Sequence, residues 1–229
     1  MDPDIRVIIP AFNEQNAVGQ VIDEIPKDLV KEVIVVDNGS TDDTFAVAQS
    51  KGATALKQEQ RGYGNACLKG IEYLQGSEKQ PDIVVFIDGD HSDYPEEMPK
   101  LIDPIVNENV DMVIGSRALG QKEKGSMTPQ QVFGNWLATT LMRWFYKTSY
   151  TDLGPFRSIK YDQLIAIGMT DKTYGWTVEM QLKAARMNMK VIDVPVNYRV
   201  RIGQSKVSGT VKGTIMAGYK IITTIFKYL

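Results

Sequence analysis

The run Ile83-Val84-Val85-Phe86-Ile87, stopped by Asp88-Gly89-Asp90, constrains this chain more than any other stretch. Its five consecutive apolar residues, four of them β-branched, predict a strand buried on both faces. Such strands belong to mostly parallel sheets covered by helices on each side. Two carboxylates then stand at the rim of a core, where holding them together is costly unless a cation lies between them. Hard divalent cations such as Mg²⁺ or Mn²⁺ suit oxygen ligands of this kind. The spacing alone decides nothing, since Asp2-Pro3-Asp4 shares it. The place at the end of a buried strand carries the expectation of a metal that holds a phosphate.

The rest of the first half repeats strand and helix in alternation. Residues 5–10 read as a strand, followed by a helix through Val18, Val21, Ile22 and Ile25 that Pro26 halts. Residues 33–36 form the next strand, and Asp37-Asn38-Gly39-Ser40-Thr41-Asp42-Asp43 supplies turn and helix-start residues. A short strand over 54–57, a helix bearing Ala66, Leu68, Ile71 and Leu74, a helix over 97–107 and a strand over 112–115 complete the series. Alternation of this kind predicts an α/β, Rossmann-like architecture with right-handed crossovers and a mostly parallel central sheet. Ligands of open α/β sheets bind at the carboxyl ends of the strands. Pro10 to Glu14, Asp37 to Ser40 and Asp88 to Asp90 all leave such ends, so three polar clusters converge on one rim. Gly62-x-Gly64-x-x-Cys67 is not a dinucleotide fingerprint, which belongs in the first strand-to-helix turn, and no stretch matches the G-x-x-x-x-G-K-[ST] loop.

Composition narrows the chemistry. A net charge of −2 argues against a nucleic-acid binder. Cys67 and His91 are the sole cysteine and histidine, which excludes an intrachain disulfide, a zinc cluster and a multi-histidine metal site. No signal peptide opens the chain and no run has the length of a membrane-spanning helix, so the expected location is cytoplasmic, with peripheral contact on the cytoplasmic membrane face.

Beyond Arg117 the pattern changes. The Gly- and Lys-rich loop 120–125 precedes a long helix over 129–147 carrying Phe133, Trp136, Leu137, Leu141, Trp144 and Phe145. An aromatic stripe reads first as core, with an apolar acceptor groove as the other use. Then come the loop 151–157, a helix over 161–167, a helix over 177–187 bearing Glu179, a strand over 191–196 and a basic segment holding Arg199, Arg201 and Lys206. The tail 211–229 places Ile215, Tyr219, Ile222 and Phe226 along one helical face beside lysines. Docking on the domain, contact with an anionic membrane surface and a homo-oligomer contact all fit that pattern.

Ile9-Pro10-Ala11-Phe12-Asn13-Glu14, Val36-Asp37-Asn38-Gly39-Ser40-Thr41-Asp42, Asp88-Gly89-Asp90 with Pro95-Glu96, and Gly203-x-Ser205-Lys206 resemble, in order and separation, the inverting family 2 glycosyltransferases of the GT-A fold. Within that family they resemble the dolichyl- and polyprenyl-phosphate sugar synthases. The resemblance implies a nucleotide-sugar donor, a divalent metal (Mn²⁺ or Mg²⁺) and a lipid-phosphate acceptor. It places Pro10, Ala11, Asn13, Glu14 and Asp37 on the donor and Asp88 and Asp90 on metal and diphosphate; Gly62 is a further donor candidate, and the charge left on a departing diphosphate calls for cations such as Arg199, Arg201 and Lys206. Arg117, Arg157 and Ser205 fall to the acceptor, and Asp152 and Glu179 are the candidate catalytic carboxylates. The implied organisation is a donor half over 1–117, an acceptor-side half over 118–209 and a terminal helix over 210–229. A soluble hydroxyl acceptor, a growing glycan or a silent nucleotide-sugar-binding module stay open beside the lipid phosphate. Two departures stand out: no spanning helices, and Asp93 where many relatives carry His.

Overall fold

The computed structural model describes residues 2–203 and 211–228. Among these, seven strands form one sheet: β1 (Ile5–Ala11), β2 (Glu32–Asp37), β3 (Thr54–Lys57), β4 (Ile83–Phe86), β5 (Met112–Ser116), β6 (Arg157–Lys160) and β7 (Val191–Pro195). Their spatial order is β3-β2-β1-β4-β6-β5-β7. Pairing is parallel between β1 and β2, β2 and β3, β1 and β4, and β5 and β7, whereas β6 runs antiparallel to both neighbours. The mostly parallel α/β sheet expected from the sequence is therefore present. Strand β6 is an addition to that expectation, which ran a loop directly into the helix at Tyr161. Arg157-Ser158-Ile159-Lys160 has no strand signature of its own; it is extended because β4 and β5 pair with it on both edges.

The helices are α1 (Val18–Glu24), α2 (Thr44–Ser50), α3 (Tyr63–Gln75), α4 (Met98–Glu108), α5 (Pro129–Tyr146), α6 (Tyr161–Ile167), α7 (Trp176–Arg186) and α8 (Val211–Lys227). Strand β4 is buried throughout, and its residues alternate between two cores. Val84 and Phe86 pack with α3, α5, α6, α7 and α8, Phe86 meeting Trp176 edge-on at 6.0 Å between ring centres. Ile83, Val85 and Ile87 pack with α1, α2 and α4. Covered on both faces, the strand can afford no polar residue until it leaves the sheet at Asp88.

Helix α5 starts on a reciprocal cap between Thr128 and Gln131, with Pro129 in the first turn where its missing N–H costs nothing. Its aromatic stripe corrects the core reading: Phe133, Trp136 and Trp144 are 60%, 58% and 73% exposed. Among its residues Ala138, Thr139 and Met142 make the buried face instead. Helix α8 docks against α5 and α7. Tyr146 donates its hydroxyl to the Ile225 carbonyl at 2.7 Å, Tyr228 donates to Glu179 at 2.6 Å, and Lys220 pairs with Asp171 at 2.9 Å. Phe145 and Phe226 touch edge to face across the α5–α8 seam. Among the described residues no helix is long and apolar enough to cross a membrane.

Candidate active site

The carboxyl ends of β1 and β2 are neighbours, Ala11 pairing in register with Asp37. Asn13 follows in the left-handed region at φ 55, a conformation Asn tolerates better than most residues. Its N–H donates to Ser40 Oγ at 2.9 Å and its side-chain oxygen accepts from Thr41 N at 2.8 Å, while Glu14 N donates to Thr44 Oγ1 at 2.8 Å. The buried Asp37 carboxylate accepts from Ser40 N at 3.1 Å. The structure thus brings Pro10, Ala11, Asn13, Glu14 and Asp37 into one corner. Two members of that corner were not singled out in the sequence. Asn38 joins the loop after β3 to the start of α3, donating to the Gln58 and Gln60 carbonyls and accepting from Gly62 N at 2.7 Å. Arg61 stacks over the Phe12 ring at 3.9 Å. Gly62 lies at the start of α3, beside Asn38. It has φ 136, and a Cβ there would lie 2.1 Å from the Lys172 carbonyl oxygen, so it marks the crossing of two backbones.

The acidic loop reaches the same corner. A Cβ on Gly89 would come within 3.3 Å of Ile9 and 3.4 Å of Ala11, so Asp88 and Asp90 lie close over the end of β1. Asp90 Oδ1 accepts from Ser92 N at 2.9 Å and from Ser92 Oγ, and Oδ2 pairs with Arg201 at 2.5 Å. Among the described residues, Asp88 Oδ1 is buried without a hydrogen-bond partner, as is the Tyr63 hydroxyl near it. Burial, followed by the charge of Asp90, pushes the Asp88 carboxyl up to about 7. Asp93 is 1% exposed and, among the described residues, neither of its carboxylate oxygens has a hydrogen-bond partner; burial and then Asp88 push it well above the usual range.

Four carboxylates (Asp88, Asp90, Asp93 and Asp152) share this region with the guanidiniums of Arg117 and Arg201. Among the described residues no three His, Cys, Asp or Glu side chains gather closely enough to ligate one ion. Asp88 and Asp90 are the side chains at this rim that could hold a hard cation, with phosphate oxygens and water in its other positions, as is usual for Mg²⁺.

The loop 118–127 lies beside the acidic loop. Residues 197–200 stitch it to the acidic loop: Tyr198 bridges both Asp93 and Lys122, and Glu123 N donates to the Tyr198 carbonyl at 2.9 Å. A cleft of about 250 Å³ opens between this loop and α5, lined among others by Lys122, Met127, Val132, Trp136, Arg143 and Asp152.

Several expected roles are corrected here. Asp152 accepts from Arg117 N, Nε and Nη2 at 2.7, 2.8 and 2.7 Å. Burial raises its carboxyl, but the charge and hydrogen bonds of Arg117 outweigh burial and hold it below the ordinary value. A carboxylate gripped in this way is not a free base, and Arg117, its partner, is not a free phosphate ligand. Glu179 is fully buried and accepts from Thr170 N, Thr170 Oγ1, Asp171 N and Tyr228 Oη, with Lys183 at 2.8 Å. Burial raises it, yet Lys183, Thr170 and Tyr228 together bring it down to about 2, so it is an anchor for the loop after α6 and for α8. Arg157 is fully buried, its guanidinium donating to the Leu153, Gly154 and Thr177 carbonyls, which removes it from the acceptor. Arg199 is engaged as well: it donates to Glu24 and to the His91 and Asp93 carbonyls and lies over the Tyr94 ring at 4.4 Å. Arg201 alone of the two stays beside the acid pair. Ser205 and Lys206 lie outside the described residues.

A mostly parallel sheet thus carries a polar corner and an acidic loop together on one carboxyl rim, the place where open α/β sheets bind ligands. The family model described as glycosyl transferase family 2 matches residues 6–168, and the chain belongs to that family. An uncharacterized glycosyltransferase of Mycobacterium bovis is 32% identical over 221 residues, 93% of this chain and 94% of that protein. An undecaprenyl-phosphate mannosyltransferase of Micrococcus luteus is 28% identical over 91% of this chain and 89% of its own length. Among solved structures, glucosyl-3-phosphoglycerate synthase from Mycobacterium tuberculosis in complex with Mn²⁺ and UDP-glucose superposes with a TM-score of 0.75 at 25% identity, covering 99% of this chain and 79% of that one.

Proposed function

We propose that the protein is an inverting transferase that moves a sugar from a nucleotide diphosphate donor, of the UDP-glucose or GDP-mannose type, to a polyprenyl or dolichyl phosphate. The observation that carries this reading is the state of the two candidate bases. Asp152 is held by Arg117 and Glu179 by Lys183, Thr170 and Tyr228, so neither is free to take a proton from a hydroxyl. A phosphate acceptor is already ionised near neutral pH and needs no base. Its oxygen forms the new bond to the anomeric carbon as the bond to the donor phosphate breaks, and the charge passes to the departing nucleoside diphosphate. Asp88 and Asp90 would hold the Mg²⁺ or Mn²⁺ that receives this charge. The cleft beside α5 has the matching chemistry, with Lys122 and Arg143 for a phosphate and Val132, Met127 and Trp136 for the start of an apolar chain.

Such an acceptor resides in a membrane, and the outer faces of α5 and α8 suit one. No Asp or Glu occurs between Glu123 and Asp152 or after Asp193, although the chain as a whole is acidic. Phe133, Trp136 and Trp144 on α5 and Met216, Tyr219 and Phe226 on α8 are exposed in this acid-free region. Aromatic side chains over lysine and arginine fit an anionic lipid surface. The test pairs radiolabelled nucleotide sugars with undecaprenyl phosphate in vesicles and, separately, with a water-soluble phosphate. Lipid-extractable label is the expected product, and transfer to the soluble phosphate alone would overturn the lipid reading. Trp136→Ala with Trp144→Ala should lower co-sedimentation with phosphatidylglycerol vesicles several-fold. Unchanged sedimentation beside a shift from dimer to monomer would assign this face to a second copy of the chain.

A further inference from the structure

Asp90 has two carboxylate oxygens, and both are taken. Oδ1 is held by Ser92 through its N–H and its hydroxyl, and Oδ2 by the Arg201 guanidinium at 2.5 Å. The backbone around Arg201 is pinned to the same loop. Tyr198 bridges Asp93, Arg199 N donates to the Ser92 carbonyl at 2.9 Å, and Ile202 N donates to the Asp90 carbonyl at 3.0 Å. Neighbouring Arg199 is fixed by Glu24, two carbonyls and the Tyr94 ring. The Arg201 side chain, about a quarter exposed, is thus the movable cation on an otherwise fixed segment.

A hard cation bound to Asp90 needs a carboxylate oxygen at about 2.0–2.2 Å, and a guanidinium on that same oxygen repels it. Oδ1 already serves the turn at Ser92, so Oδ2 is the oxygen in contention. We propose that Arg201 is a stand-in counter-ion which the divalent cation displaces from Asp90, and which then turns by its side chain alone onto the diphosphate oxygens that the cation brings. The same residue fills two successive roles. Before metal binds it neutralises Asp90, and afterwards its planar fork is presented to phosphate, the anion that geometry suits best. The exchange couples the two ligands: a donor arriving without metal finds Arg201 engaged, and a metal arriving without donor competes with Arg201 and gains no phosphate oxygens. Metal and nucleotide therefore bind with positive coupling, each favouring the state the other needs.

This inference rests on the metal-dependent reading above, and its test separates the two. Mn²⁺ binding to the nucleotide-free protein is followed by the electron paramagnetic resonance of the free ion, with no turnover involved. Removing a largely buried competing cation in Arg201→Gln should tighten Mn²⁺ roughly tenfold. UDP binding at saturating Mn²⁺ should weaken by about the same factor, since the phosphate loses a charged donor. Arg201→Lys, which keeps the charge on a weaker partner for carboxylate, should show a smaller gain for Mn²⁺ and serves if the Gln variant melts early. Equal or weaker Mn²⁺ binding in both variants, beside a wild type that binds the ion, overturns the exchange alone. A wild type that takes up no Mn²⁺ overturns the metal reading and the exchange with it.

Discussion

Replacing Asp152 by Asn removes one member of a buried, two-point ion pair and leaves the guanidinium of Arg117 without its counter-charge. Breaking such a pair costs about 3–5 kcal/mol. Urea or thermal unfolding should show that loss, while transfer to a lipid phosphate per folded molecule falls less than about tenfold, because no proton has to be removed. Abolished turnover in well-folded Asp152→Asn would mean a base is required after all. Asp90→Asn, by contrast, alters a carboxylate assigned to the cation in the proposed function and should lower metal-dependent turnover by about a thousandfold per folded molecule. Glu179 contributes through pH. Its carboxyl is depressed from 4.5 to about 2, so the stabilisation is present above about pH 4.5 and is lost as the pH falls through about 2. A shift of this size corresponds to roughly 3 kcal/mol. Melting temperatures from pH 6 down to pH 2 should therefore fall more steeply in the wild type than in Glu179→Gln, and parallel curves would contradict the assignment.

At the scale of elements, the segment after β7 matters through what it ties together. Glu24, at the end of α1, accepts from His91 and Arg199, and Arg199 in turn holds the His91 and Asp93 carbonyls. Glu24→Ala should free both partners and loosen the loop that carries Asp90. A rise of about three- to tenfold in the donor KM, larger than any change in kcat, is the expected signature of such a positioning residue. The acidic loop and the Asp37-to-Ser40 turn were legible in the sequence because each is a local pattern at the end of an apolar run. The partners of Arg199 were not, since Glu24 lies 175 residues away. Nor could the periodicity of α5 say which of its faces is covered, as an aromatic stripe looks alike whether a core or a lipid surface receives it. Strand β6 was hidden for another reason: an extended run of four residues with one aliphatic side chain owes its conformation to its neighbours.

For the molecule as a whole, a donor and its cation that bind only the native state should raise the melting temperature. At a hundredfold excess over Kd the stabilisation is about 2.7 kcal/mol, which for a chain of this size is roughly 5–10 °C. A screen of nucleotide sugars with and without Mn²⁺ should show the shift with one base and require the metal, and shifts indifferent to Mn²⁺ would count against the cation. The reversed direction of β6 has a last consequence. An antiparallel strand is entered at the edge where its parallel neighbours are left, so the chain delivers residues 151–156 to the donor rim on its way into the sheet. In the proposed function, donor recognition is assigned to strand exits and this part of acceptor recognition to a strand entrance. Exchanging the entrance loop for that of a relative should redirect the protein to a new recipient of the sugar while leaving its nucleotide preference in place.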